Sequence, residues 1–154
     1  MHIRNLVDIL KQELEGILLY PYESKNQEAK IPVKVSAGWT TRKLTKEDFP
    51  RVLISPVGEN VAGEKTTLSV YFVVGVYTQN DEGWRDVVSI IDSIRSHLYS
   101  HYTVGDGSFV FDREKFETYY PDEQPWPQWW GYVRADFTGF TYTYDGEEEE
   151  IEKI

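Results

Sequence analysis

A thirteen-residue β-favouring run, Thr66 to Thr78 (TTLSVYFVVGVYT), passes almost directly into a helical pattern from Glu82 to about Tyr102. Alternation puts Leu68, Val70, Phe72, Val74 and Val76 on one face of the strand, and so large an apolar face has to be covered. The helical segment offers Trp84, Val87, Val88, Ile91, Ile94 and Leu98 at spacings of three and four, the stripe expected to cover it. These two segments fix the core of a mixed domain. Neither carries a recognisable set of catalytic groups.

The remaining segments fit around that pair. Ile3 to Glu15 predicts a helix with Ile3, Leu6, Val7, Leu10 and Leu14 on one face and Gly16 as its stop. Ile31 to Val35 alternates as a strand, and Pro32, which has no N–H to donate, places it at a sheet edge. Ser36 to Asp48 reads as a long polar loop. Phe49 to Val57 predicts a strand, joined to the long one through Gly58–Lys65 as a hairpin with a wide, mobile tip. Ser108 to Asp112 predicts a short strand, and Arg113 to Tyr120 extends or pairs with it. After the proline-punctuated Pro121–Pro127 loop, Trp129 to Tyr144 forms a final strand. Its apolar residues switch from odd to even positions at Gly139, which predicts a bulge or a bend there. The order α-β-β-β-α-β-β predicts an α+β domain over 1–144, an antiparallel-dominated sheet with both helices on one face.

Charge divides the 154 residues unevenly. The formal net charge is −10, and the last ten residues, DGEEEEIEKI, contribute −5 of it. That segment, 145–154, reads as a solvated, disordered tail. From Ser24 to Lys46 the sign reverses, with Lys25, Lys30, Lys34, Arg42, Lys43 and Lys46 against Glu28 alone. So acidic a chain is poorly suited to sequence-independent DNA binding, which depends on cations neutralising phosphates. With no cysteine, disulfide and thiolate chemistry are absent, and no apolar run is long enough to cross a bilayer.

Motifs for chemistry are near misses. Gly58-Glu-Asn-Val-Ala-Gly63-Glu64-Lys65-Thr66 approaches a phosphate-binding loop, but Glu64 stands where lysine must follow glycine, and the segment joins two strands. His97 and His101 have the spacing of two metal ligands on a helix, without the glutamate at position 98 or an evident third ligand. No serine sits in a G-x-S-x-G elbow. No cofactor is therefore expected. Tyr119, Tyr120, Trp126, Trp129, Trp130 and Tyr132 make the least ordinary local composition. Such residues pack in cores, anchor protein interfaces, or stack on sugars beside Asp, Gln and Arg.

The amphipathic first helix with Leu6, Leu10 and Leu14 begins a wider pattern. It continues through the strand ending in Ile54-Ser55-Pro56, the long strand leading into Asp81-Glu-Gly-Trp84-Arg-Asp86, and the aromatic strand Trp130 to Tyr142. In this organisation, over residues 1–144, the chain resembles the tail-terminator (tail-completion) proteins of long-tailed bacteriophages. The resemblance implies no catalysis. It implies a homo-oligomeric ring, usually of six copies, that caps the tail tube, meets the head connector and lets DNA pass through its lumen without specific binding. An acidic lumen would repel the phosphates. The implied location is the virion neck, after assembly in the bacterial cytoplasm. Ring contacts are heterologous, so one patch must meet a different patch on the next copy. The expected patches are Lys25, Lys34, Trp39, Arg42 and Lys43 on one side, with Asp122, Glu123, Trp126, Trp129 and Trp130 on the other. The contrasting expectation is a monomeric carbohydrate- or ligand-binding module built on Trp126, Trp129 and Trp130.

Overall fold

Leu68, Val70, Phe72, Val74 and Val76 are completely buried, and the rest of the fold is arranged around them. The computed structural model describes residues 3–17, 31–105 and 107–140. In chain order these form α1 (Ile3–Leu14), β1 (Lys34–Ala37), a 3-10 turn (Lys46–Asp48), β2 (Arg51–Ala62), β3 (Lys65–Tyr77), α2 (Gly83–Ser100), β4 (Thr103–Val104), β5 (Phe109–Tyr119) and β6 (Gln128–Phe140). One six-stranded sheet runs β1-β2-β3-β6-β5-β4. Only β1 and β2 pair in parallel; every other neighbour is antiparallel. The fold is α+β, with both helices on one face of the sheet.

Two stripes cover that face. From α1, Leu6, Val7, Leu10 and Leu14 are buried, with Val35, Val52 and Ile54 in the same core. From α2 come Val87, Ile90, Ile91, Ile94 and Leu98, joined by Val133, Ala135 and Phe137 of β6. The core-facing stripe of α2 is rotated from the expected one. Ile90 and Asp86 turn inward, while Trp84 remains 46% exposed. The cause is at the start of the helix, where Gly83 lies against the Trp129 indole and directs position 84 away from the core.

Two further expectations are corrected. Gly58 to Ala62 is strand rather than loop, and β2 turns into β3 through Gly63-Glu64 alone, with Gly63 at φ 66°. Gly58–Ala62 is polar and glycine-bearing, so its strand character comes from pairing with β3, with one register shift between Pro56 and Gly58. β6 has no bulge at Gly139, which stays in register with both Thr66 and Phe109. The irregularity instead falls in β5 between Phe111 and Phe116, because β5 continues through the Arg113–Tyr119 segment and has extra residues to absorb. Lys25, Tyr142, Tyr144 and the acidic segment 145–154 lie outside the described residues.

Candidate functional site

Trp129 and Trp130 begin β6 and point to opposite faces of the sheet, as strand geometry requires. Trp129 pairs with Val76 and Trp130 with Gly75. On the helix side, the Trp129 Nε1–H donates to the Thr78 carbonyl (3.0 Å) and its ring packs under Gly83. Thr78 and Asn80 shape the turn into α2. The Asn80 N–H donates to the Thr78 hydroxyl (3.2 Å), and the Asn80 side-chain oxygen accepts the Glu82 N–H (2.8 Å). Trp129 thus fixes where the helix starts.

On the other face, the Trp130 ring lies over Gly75, where a Cβ would come within 2.7 Å of it. Phe49 meets this ring edge-on at 5.5 Å between centroids, and Phe49 in turn packs at a tilt against Tyr77 at 5.9 Å. The backbone of Trp130 is held by one side chain: Gln124 accepts its N–H (2.7 Å) and donates to its carbonyl (3.2 Å). Gln124 in this way substitutes for a neighbouring strand and fastens the 121–127 loop. Tyr71, Tyr119 and Tyr132 extend the aromatic surface across this helix-free face, beside Arg134 and Glu117. A polar patch follows, in which Ser69 donates to Asp136 (2.6 Å) and Arg134 donates to Ser69 (3.3 Å).

A cavity of about 360 Å³ opens between the first turns of α2 and the 121–127 loop. Trp84, Val87, Val88, Tyr120, Gln124 and Trp129 contribute to its largely apolar walls. Partial burial, with the Asp92 carboxylate nearby, pushes the Tyr120 phenol above its ordinary pKa. Asp122 and Glu123 lie exposed on the loop that forms one wall, and Trp126 is 55% exposed just beyond it. Sequence reasoning did not assign Trp84, Val88 and Tyr120 to a common site. The sequence carried no direct signal for it, because Trp84 and Val88 both fit the core-covering stripe by spacing.

The basic segment is less free than its composition suggests. Arg42 donates both terminal nitrogens to Asp48 (2.9 and 2.6 Å), and the Thr45 N–H donates to the same carboxylate (2.7 Å). The Arg42 hydrogen bonds, then the one from Thr45, hold the Asp48 carboxyl well below the usual carboxylate range. Lys46 approaches the Tyr77 ring. Lys34 and Lys43 are exposed and make no salt bridge among the described residues, and Trp39 is 57% exposed. The expected surfaces therefore divide. Trp39 and Lys43 are presented outward, Arg42 is engaged in its own loop, and Trp129 and Trp130 serve separate layers.

The paired histidines join elements. His97 Nε2 lies 3.0 Å from a Glu13 oxygen whose partner oxygen accepts the Gly105 N–H (3.0 Å), linking α1, α2 and the turn after β4. The His101 ring stacks on His97 at 4.8 Å. Among the described residues, no three ligating side chains converge as a metal site.

No known protein-family model matches the chain, and no curated protein matches its sequence.

Proposed function

We propose that the chain is the subunit of a homo-oligomeric ring, of six copies, that terminates a bacteriophage tail tube and joins it to the head connector. The supporting observation is the distribution of large side chains. Helices cover one sheet face, while Trp39 and Trp126 in loops, Trp84 in the first turn of α2 and Tyr119 at the end of β5 are exposed. Exposed aromatic residues of this number suit contact with other protein surfaces. The fold agrees with the organisation on which the resemblance rests. The tail-tube and head-connector proteins are the proposed partners, with DNA passing through the bore.

The test is native mass spectrometry over a concentration series, with negative-stain imaging of large species. Closed rings of six are expected, with the tryptophans losing solvent quenching as rings form. A chain that stays monomeric both alone and with a tail-tube protein would overturn the proposal. It would direct attention to the apolar cavity beside Trp84 as a small-ligand site.

A further inference from the structure

Resting on the ring reading, we infer that Trp39 of one copy inserts into the cavity between α2 and the 121–127 loop of the next. The occupant follows from complementarity. The cavity is apolar inside, and the loop that forms one wall carries two exposed acids, Asp122 and Glu123. Neither makes a salt bridge among the described residues, whereas Glu82 at the helix start is taken by Arg85 (3.1 Å), whose guanidinium lies over the Trp84 ring. The Trp39 loop has the opposite character. It presents a single exposed indole, and its cation Lys43 has no carboxylate partner among the described residues, while Arg42 is held by Asp48. An indole entering an apolar pocket while a lysine meets two rim carboxylates is the usual make-up of an interface anchor.

Topology makes the contact intermolecular. Trp39 follows β1 at one edge of the sheet, and the cavity is built on β6, three strands away, roughly 14 Å at ordinary strand spacing. A knob on one side and a socket on the other is a heterologous pair, the arrangement that repeats around a closed ring. Trp39 therefore contributes the knob, and Trp84, Val88, Tyr120 and Trp129 the socket.

The absence of cysteine from the sequence allows a clean test. Chains carrying Thr40→Cys, next to but not replacing Trp39, are mixed with chains carrying Val88→Cys, and a short thiol–thiol cross-linker is added. Products joining one chain of each kind are expected to dominate. In a second arm, Trp39→Ala weakens association at least about tenfold. Lys43→Glu and Glu123→Lys each weaken it, and together they restore it. Rings on native mass spectrometry without the mixed product would overturn this contact and leave the ring reading standing. Monomers without the mixed product would remove both. A Val88→Cys chain that cross-links chiefly to itself would make the cavity a two-fold interface and overturn the inference. So would charge reversals that leave assembly unchanged.

Discussion

Asp48 lies just past the last lysine of the basic stretch, and its carboxylate determines what Arg42 can do. Composition counted Arg42 as an available cation; the fold gives both its terminal nitrogens to Asp48. No spacing rule reveals such a pair within an irregular loop, because its geometry depends on the 3-10 turn at Lys46–Asp48. A carboxyl whose folded pKa is depressed stabilises the fold above its unfolded pKa, and loses that contribution as pH falls through the folded value. For Asp48 this loss is expected only in strong acid. In Arg42→Ala it should begin nearer the ordinary carboxylate range, and NMR titration of the Asp48 side-chain carbon in both proteins would show the rise. An unchanged midpoint would mean that Thr45 alone sets it. Trp129 and Trp130 teach the opposite lesson. Neighbours on a strand face opposite ways, so their separation was readable from alternation, and grouping them by composition hid it. Thr66 supplies a second prediction at this scale. It is 1% exposed on the core side, and its hydroxyl has no hydrogen-bond partner among the described residues. Thr66→Val removes an unsatisfied polar group with little change of shape. It should stabilise the protein by about 1 kcal/mol, raising Tm by roughly 2–4 °C in a scanning melt.

Helix α2 shows why an element can be legible while its orientation is not. Positions 84, 87, 88, 91, 94 and 98 and positions 83, 87, 90, 91, 94 and 98 both satisfy helical spacing. Hydrophobicity favours the first set because it contains tryptophan. Packing selects the second, since only glycine fits against the Trp129 indole. Gly83→Ala therefore tests packing against propensity. Alanine favours helix by about 1 kcal/mol, but its Cβ would collide with a ring held by the Trp129–Thr78 hydrogen bond. A net loss of about 1–3 kcal/mol is expected, read from urea unfolding. A stabilised variant would show that the ring moves aside freely. The β2–β3 hairpin was legible as a pair but not in its extent, because strand formation at Gly58–Ala62 depends on a partner rather than on its own residues. Gly63, at φ 66° with open space around it, accommodates the turn for backbone reasons alone. Gly63→Ala should cost about 1 kcal/mol, with hydrogen exchange accelerated at the hairpin tip and unchanged in α2. In β5, three residues more than β6 can match lie between Phe111 and Phe116. Tyr99 fastens that excess, donating its hydroxyl to the Arg113 carbonyl (2.7 Å) and accepting from the Arg113 guanidinium at its own carbonyl (3.1 Å). That tie spans fourteen residues and carries no local sequence signal.

At the scale of the whole molecule, like charge opposes the assembly proposed here. Each copy carries −10, half of it in the last ten residues, so copies repel while the Trp39 knob and its socket attract at short range. The two terms differ in their response to salt. Repulsion between surfaces extends over the Debye length, about 30 Å at 0.01 M and 3 Å at 1 M, whereas an apolar insertion with an ion pair at its rim depends less on ionic strength. Assembly should therefore strengthen as salt rises from low values. Removing residues 145–154 lowers the charge per copy to −5 and should have its largest effect where screening is weakest. Sedimentation velocity of the full and shortened chains at both salt concentrations provides the measurement. The shortened chain is expected to assemble at a several-fold lower concentration in low salt, with the difference vanishing near 1 M. Equal assembly at low salt would mean that the terminal acids of adjacent copies lie beyond each other's reach, leaving the rim charges to set the salt response. Weaker assembly of the shortened chain would mean that those acids attract, and would point to Lys34 or Lys43 of the adjacent copy as their partners.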